Sequence, residues 1–112
     1  MLNRYFFRIL KIWEKVVIYF VSRHEGAIAW IRSRKEWHVD CFVPHLDVSV
    51  LQAGDVVLGT LPVHLAAEVC GLGAEFYFLE MPQTEARRGT EYSAEEMSAA
   101  GCRLRRFDVR AL

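Results

Sequence analysis

Two short apolar runs do most to restrict what this chain can fold into. Val17-Ile18-Tyr19-Phe20-Val21 and Asp55-Val56-Val57-Leu58 read as short strands whose apolar residues are continuous rather than alternating. A strand with one wet face alternates polar and apolar residues. A strand without alternation is covered on both faces, the habit of parallel sheets. Each run ends in a polar turn that opens a helical pattern. The first turn is Ser22-Arg23-His24-Glu25 and the second is Gly59-Thr60-Leu61-Pro62-Val63-His64.

The remaining pattern extends this theme. Ala27, Trp30 and Ile31 recur at helical spacing between Gly26 and Lys35, and a second strand is expected over about Trp37 to Pro44. A connection runs from His45 to Gly54. A helix follows from about Leu61 to Cys70, striped by Leu61, Leu65, Val69 and Leu72 and stopped by Gly71 and Gly73. Ala74 to Glu80 reads as a fourth strand and Pro82 to Tyr92 as a loop. Ser93 with Glu96 three residues on forms a capping box for a short helix, and Cys102 to Val109 makes a last strand. The order β-α-β-β-α-β-α-β predicts an α/β fold, a small three-layer domain. Its sheet of about five strands is mostly parallel. In such sheets ligands bind outside the carboxyl ends of the strands, where both turns lie.

Residues 1–16 stand apart. Arg4, Arg8, Lys11 and Lys15 recur on one helical face, with Leu2, Phe6, Ile9, Trp13 and Val16 on the other. The extension reads as an accessory helix docked on the domain, or as upstream sequence from an early start, with Val17 as the alternative first residue. A membrane-surface or partner-binding helix is the competing reading. Those four cations against Glu14 leave +3 in the extension. The chain is neutral in total, so residues 17–112 carry −3. A mildly acidic domain is ill suited to long nucleic acid but can hold a small phosphate ligand.

Cys41, Cys70 and Cys102 are odd in number and show no CxxC spacing, so they read as buried thiols in a reducing, cytoplasmic setting. No zinc signature, Gly-rich phosphate loop or serine-hydrolase elbow is present. No apolar run approaches the ~20 residues of a membrane span, and the N-terminus lacks a secretory signal's apolar core. Metal-free chemistry without a cofactor is the expectation.

Much of each turn has a local explanation. Ser22 and Glu25 fit a capping box, Thr60 suits a helix cap and Pro62 a first turn. Asp47 suits a turn beside His45. Arg23 at a helix N-terminus is placed for a phosphate. His24 and His64 offer proton transfer, or are merely solvated, with Glu68 one turn from His64 to orient it. Arg87 and Arg88 beside Gly89 read as a lid over an anion or as surface charge.

Taken together, Tyr19-Phe20-Val21-Ser22-Arg23-His24-x-Gly26-Ala27-x-x-Trp30, His45-Leu46-Asp47 and Gly54-Asp55-x-Val57-x-Gly59-Thr60-Leu61-Pro62-Val63-His64-Leu65-Ala66 resemble a small CRISPR-associated accessory family of type III systems. Ala74 to Leu79 and Ser93 to Met97 extend the likeness, which covers Val17 to the end. The resemblance implies a homodimeric ring nuclease with a small Rossmann-like (CARF-like) fold. Such an enzyme binds a cyclic oligoadenylate, cyclic tetra-adenylate in the leading form, and cuts it to end antiviral signalling. The implied route is attack of a ribose 2′-OH on its neighbouring phosphate. Arg23, His24 and His64 would be the catalytic set. Ser22, Gly59, Thr60, Leu61, Pro62, Arg87 and Arg88 would hold the ligand. A non-catalytic sponge or sensor is the alternative, and a structural subunit of the effector complex a third.

Overall fold

The computed structural model describes residues 15–82 and 91–112. The helix expected over the N-terminal extension, up to residue 14, and the Arg87–Arg88 pair lie outside the described residues. The elements are β1 (Ile18–Val21), α1 (Glu25–Arg32), β2 (Cys41–Val43), a 3₁₀ turn (Val48–Val50), β3 (Val56–Gly59), α2 (Val63–Gly71), β4 (Glu75–Glu80), α3 (Ala94–Ala100) and β5 (Arg103–Phe107). This is the expected order.

The five strands form one sheet in the order β2-β1-β3-β4-β5. β2, β1, β3 and β4 run parallel, and β5 pairs antiparallel with β4. The apolar runs are the two central strands. Because side chains alternate across a strand, each run supplies two cores. Phe20, Val56 and Leu58 pack on one face with Ala27, Trp30 and Ile31 of α1 and Met97 of α3. Tyr19, Val21 and Val57 pack on the other with Ala66 and Val69 of α2 and with Leu51. Phe20, Ile31, Val57, Leu58 and Val69 are all fully buried, and each such side chain contributes about 1.5–3 kcal/mol over leaving it in water.

Register is fixed at the amino end of the sheet. Asp55 is fully buried, and its carboxylate accepts from the Val17 N–H at 3.2 Å and the Gln52 N–H at 2.9 Å. The bond to Val17 ties the entry of β1 to the entry of β3, where Ile18 stands opposite Val56. Both strands are four residues long, so they also finish level, with Val21 opposite Gly59.

Three expectations need correction. β2 is shorter than Trp37 to Pro44, because Asp40 takes the Ile18 backbone twice. Its N–H donates to the Ile18 carbonyl and its carboxylate accepts the Ile18 N–H, both at 2.8 Å. The ladder therefore begins at Cys41. The last strand is Arg103–Phe107, not Cys102 to Val109. Of the cysteines only Cys102 is buried; Cys41 and Cys70 are half-buried.

Candidate functional site

The site grows from the way β1 and β3 end. Gly59 has φ +127°, and a Cβ there would lie 2.3 Å from the Val21 carbonyl oxygen. Only glycine permits this approach. The two turns consequently leave the sheet side by side, one towards α1 on one face and the other towards α2 on the opposite face. That divergence is the topological switch point of an open α/β sheet and leaves a crevice between the turns.

Neither turn is capped as its sequence predicts. The Ser22 hydroxyl accepts the His24 N–H at 3.1 Å, and the Ser22 N–H donates to the Val43 carbonyl. The hydroxyl is thus used inside the turn, α1 starts at Glu25 with His24 as its N-cap, and the Ser22–Glu25 capping box does not form. In the second turn Pro62 stands at the N-cap with ψ 146°. A proline holds its preceding residue extended, so the helix cannot start at Leu61 and Thr60 does not cap it. Neither α1 nor α2 has a side-chain cap. α3 has both bonds of the expected capping box, Glu96 N–H to Ser93 Oγ at 3.1 Å and Ser93 N–H to Glu96 Oε1 at 2.9 Å. The uncapped first-turn N–H groups are donors that a helix leaves for solvent or a ligand.

Between them lies a cleft of about 320 Å³. Ser22, Arg23 and His24 form one wall, Thr60, Leu61 and Pro62 the other, and Pro44, His45 and Leu46 close it beyond β2. Arg23, His24 and His45 bring three nitrogen groups able to carry positive charge to one place. Asp47 fixes the segment carrying His45. Its carboxylate accepts the Ser49 hydroxyl at 2.6 Å and the Ser49 N–H at 3.0 Å, and these bonds hold its pKa below the usual carboxylate value.

A second cavity of about 230 Å³ lies behind Ser22, His24 and Thr60, which line both spaces. At its mouth the His24 Nδ1 lies 2.8 Å from Glu91 Oε1. An ionised carboxylate only accepts, so Nδ1 carries the proton and Nε2 is the nitrogen left for a reaction. Sequence reasoning missed Glu91, since a lone glutamate in a polar loop gives no local signal. Gly26 lets this segment come close: the Tyr92 carbonyl oxygen occupies the space a Cβ would need, 1.7 Å away.

The structure brings Ser22, Arg23, His24, Thr60, Leu61 and Pro62 to one cleft. Gly59 is buried behind it and sets the approach of the strands. His64 is exposed, lines neither cavity and makes no bond to Glu68. Among the described residues no group of three or more His, Cys, Asp or Glu side chains could hold a metal ion. No described helix is long and apolar enough to cross a membrane.

No curated protein and no solved structure matches the chain. Residues 19–110 match the family described as "Putative CRISPR-associated protein (Cas_VVA1548)". The matched segment takes in both turns, Gly26, His45, Gly59 and Glu91. The chain belongs to this CRISPR-associated family.

Proposed function

We propose that the chain is a ring nuclease, binding a cyclic oligoadenylate in the crevice between the two turns and opening it without a metal. The observation that carries this reading is one cleft lined by the N-cap residues of two helices without side-chain caps, His24 and Pro62, together with Arg23 and His45. Two sets of backbone donors and a guanidinium suit a phosphodiester, whose two free oxygens share one negative charge. The ring as ligand is what the sequence resemblance to type III accessory proteins implies, and membership of a CRISPR-associated family is in keeping with it.

The reaction needs little from the protein beyond placement and charge. The ribose 2′-oxygen attacks the adjacent phosphorus as the P–O5′ bond breaks, leaving a 2′,3′-cyclic phosphate and a free 5′-hydroxyl. One proton leaves the 2′-OH and one reaches the departing 5′-oxygen. In this reading His24 Nε2 handles the proton, oriented through Nδ1 by Glu91. Arg23 and the first-turn N–H groups of α1 and α2 stabilise the phosphoryl charge. A homodimer would set two such clefts on one ring.

The test is incubation with cyclic tetra-adenylate and cyclic hexa-adenylate in EDTA, with products resolved by chromatography. Linear fragments ending in cyclic phosphate are expected. A ring that stays intact while bound assigns the protein a sequestering role instead, and a ring that does not bind removes the ligand itself.

A further inference from the structure

The second cavity differs in chemistry from the cleft it adjoins. Ala27, Leu79, Tyr92 and Met97 are buried residues that line it, and half-buried Met81 stands at its edge. Among the described lining residues, the polar side chains are those of the wall shared with the cleft, Glu91 at the mouth and the Tyr92 hydroxyl. One space is thus lined by cation-capable side chains and the N-cap residues of two helices. The other is apolar, and a single wall of Ser22, His24 and Thr60 divides them. A nucleotide has the same division, an anionic phosphate and a flat aromatic base separated by one sugar. At about 230 Å³ the cavity falls below the ~300–1,000 Å³ of sites for drug-sized ligands, a size suited to one ring system.

We infer that this second cavity holds the nucleobase of the nucleotide whose phosphate sits in the cleft. The base lies between Tyr92 and the methionines, whose polarisable sulfurs suit an aromatic face. The Glu91 carboxylate accepts a hydrogen bond from an exocyclic amino group and disfavours a base presenting a carbonyl there. The ligand class is a nucleotide whose base bears an exocyclic amino group. The inference rests on the phosphate reading of the cleft, which it deepens by assigning a place to the base.

The test compares 5′-AMP with ribose 5-phosphate, which has the same phosphate and sugar without the base, by calorimetric titration of the full chain. Wild type is expected to bind 5′-AMP at least about tenfold more tightly. Met81→Trp, which fills the cavity from its edge, should abolish that preference and leave ribose 5-phosphate binding unchanged. Thermal unfolding confirms that the variant is folded, and Met81→Phe is the smaller replacement if it is not. Equal affinities in the wild type, including no binding of either compound, overturn the base pocket. Cleavage of cyclic tetra-adenylate by a protein without base preference likewise removes the pocket and keeps the nuclease. A clear 5′-AMP preference in a protein that leaves the ring intact keeps the pocket and removes the nuclease.

Discussion

Glu91 and His24 meet at 2.8 Å although 67 positions separate them in the chain. Both are largely exposed, so their contact contributes little to folding. Its effect is on orientation, because it leaves Nε2 as the ring nitrogen available for a reaction. Under single-turnover conditions, His24→Ala should lower ring cleavage by about a hundredfold or more, the usual contribution of a positioned acid–base group. Glu91→Gln should lower cleavage less than His24→Ala. His64→Ala should retain the wild-type rate; a loss matching that of His24→Ala would move the proton-transfer role to α2.

Arg23 acts on binding. A charge-assisted hydrogen bond is worth about 1.5–3 kcal/mol, so Arg23→Ala should weaken ring binding roughly ten- to a hundredfold. Arg23→Lys should recover only part of this, because an ammonium cannot reproduce the planar fork. Titration calorimetry in EDTA reads the effect, and full affinity in Arg23→Ala would place the phosphate elsewhere.

Two glycines test how the site is assembled. Gly59→Ala sets a Cβ 2.3 Å from the Val21 carbonyl at φ +127°, and should yield little folded protein. Gly26→Ala sets a Cβ closer still to a backbone atom, the carbonyl oxygen of buried Tyr92. Its cost should be at least the ~1–3 kcal/mol usual for overpacking, because backbone rather than a flexible side chain must move. It should also part Glu91 from His24 and slow cleavage. Chemical denaturation and activity measured on the same preparation separate the two outcomes.

Asp55→Ala leaves the Val17 and Gln52 N–H groups without their carboxylate acceptor. At about 1–3 kcal/mol for each buried unsatisfied donor, this is among the costliest single truncations available here. Asp55→Asn keeps one acceptor oxygen and should lose less. Midpoints of urea unfolding order the three proteins.

Acid should destabilise the far edge of the sheet. The Arg103 guanidinium, 2.7 Å from Glu80, holds that carboxyl below its ordinary 4.5 despite partial burial, with the charge of Arg105 adding to the effect. A carboxyl whose pKa is lower in the folded state stabilises above its unfolded value and loses that contribution as pH falls through the folded one. Stability from Glu80 is therefore full at neutrality and fades below about pH 4.5. Thermal midpoints of wild type and Glu80→Gln should converge there. Tyr77 has the opposite sign. Burial, with the Glu75 charge and hydrogen bond, raises its pKa, so its contribution falls as pH rises past 10.0.

Much of this architecture was legible because the deciding signals are local. Continuous apolar runs gave β1 and β3, and the Ser93–Glu96 spacing gave the cap of α3. The other two caps were misread because Ser22 and Thr60 have suitable hydroxyls in settings that prevent their use. The Ser22 oxygen is spent on His24, and Pro62 delays α2. β2 was overextended because the Asp40–Ile18 bonds are long-range and have no local signature. Glu91 and the second cavity were invisible for the same reason, since they depend on the path of the chain back past Gly26.

The buried Asp55 carboxylate has one further consequence. It anchors the two strands whose side chains are most completely enclosed, so both turns hang from the part of the molecule that opens last. The donors at the two helix starts are preorganised. The entropy of arranging them is lost when the chain folds, and a ligand arriving later meets that much less of it.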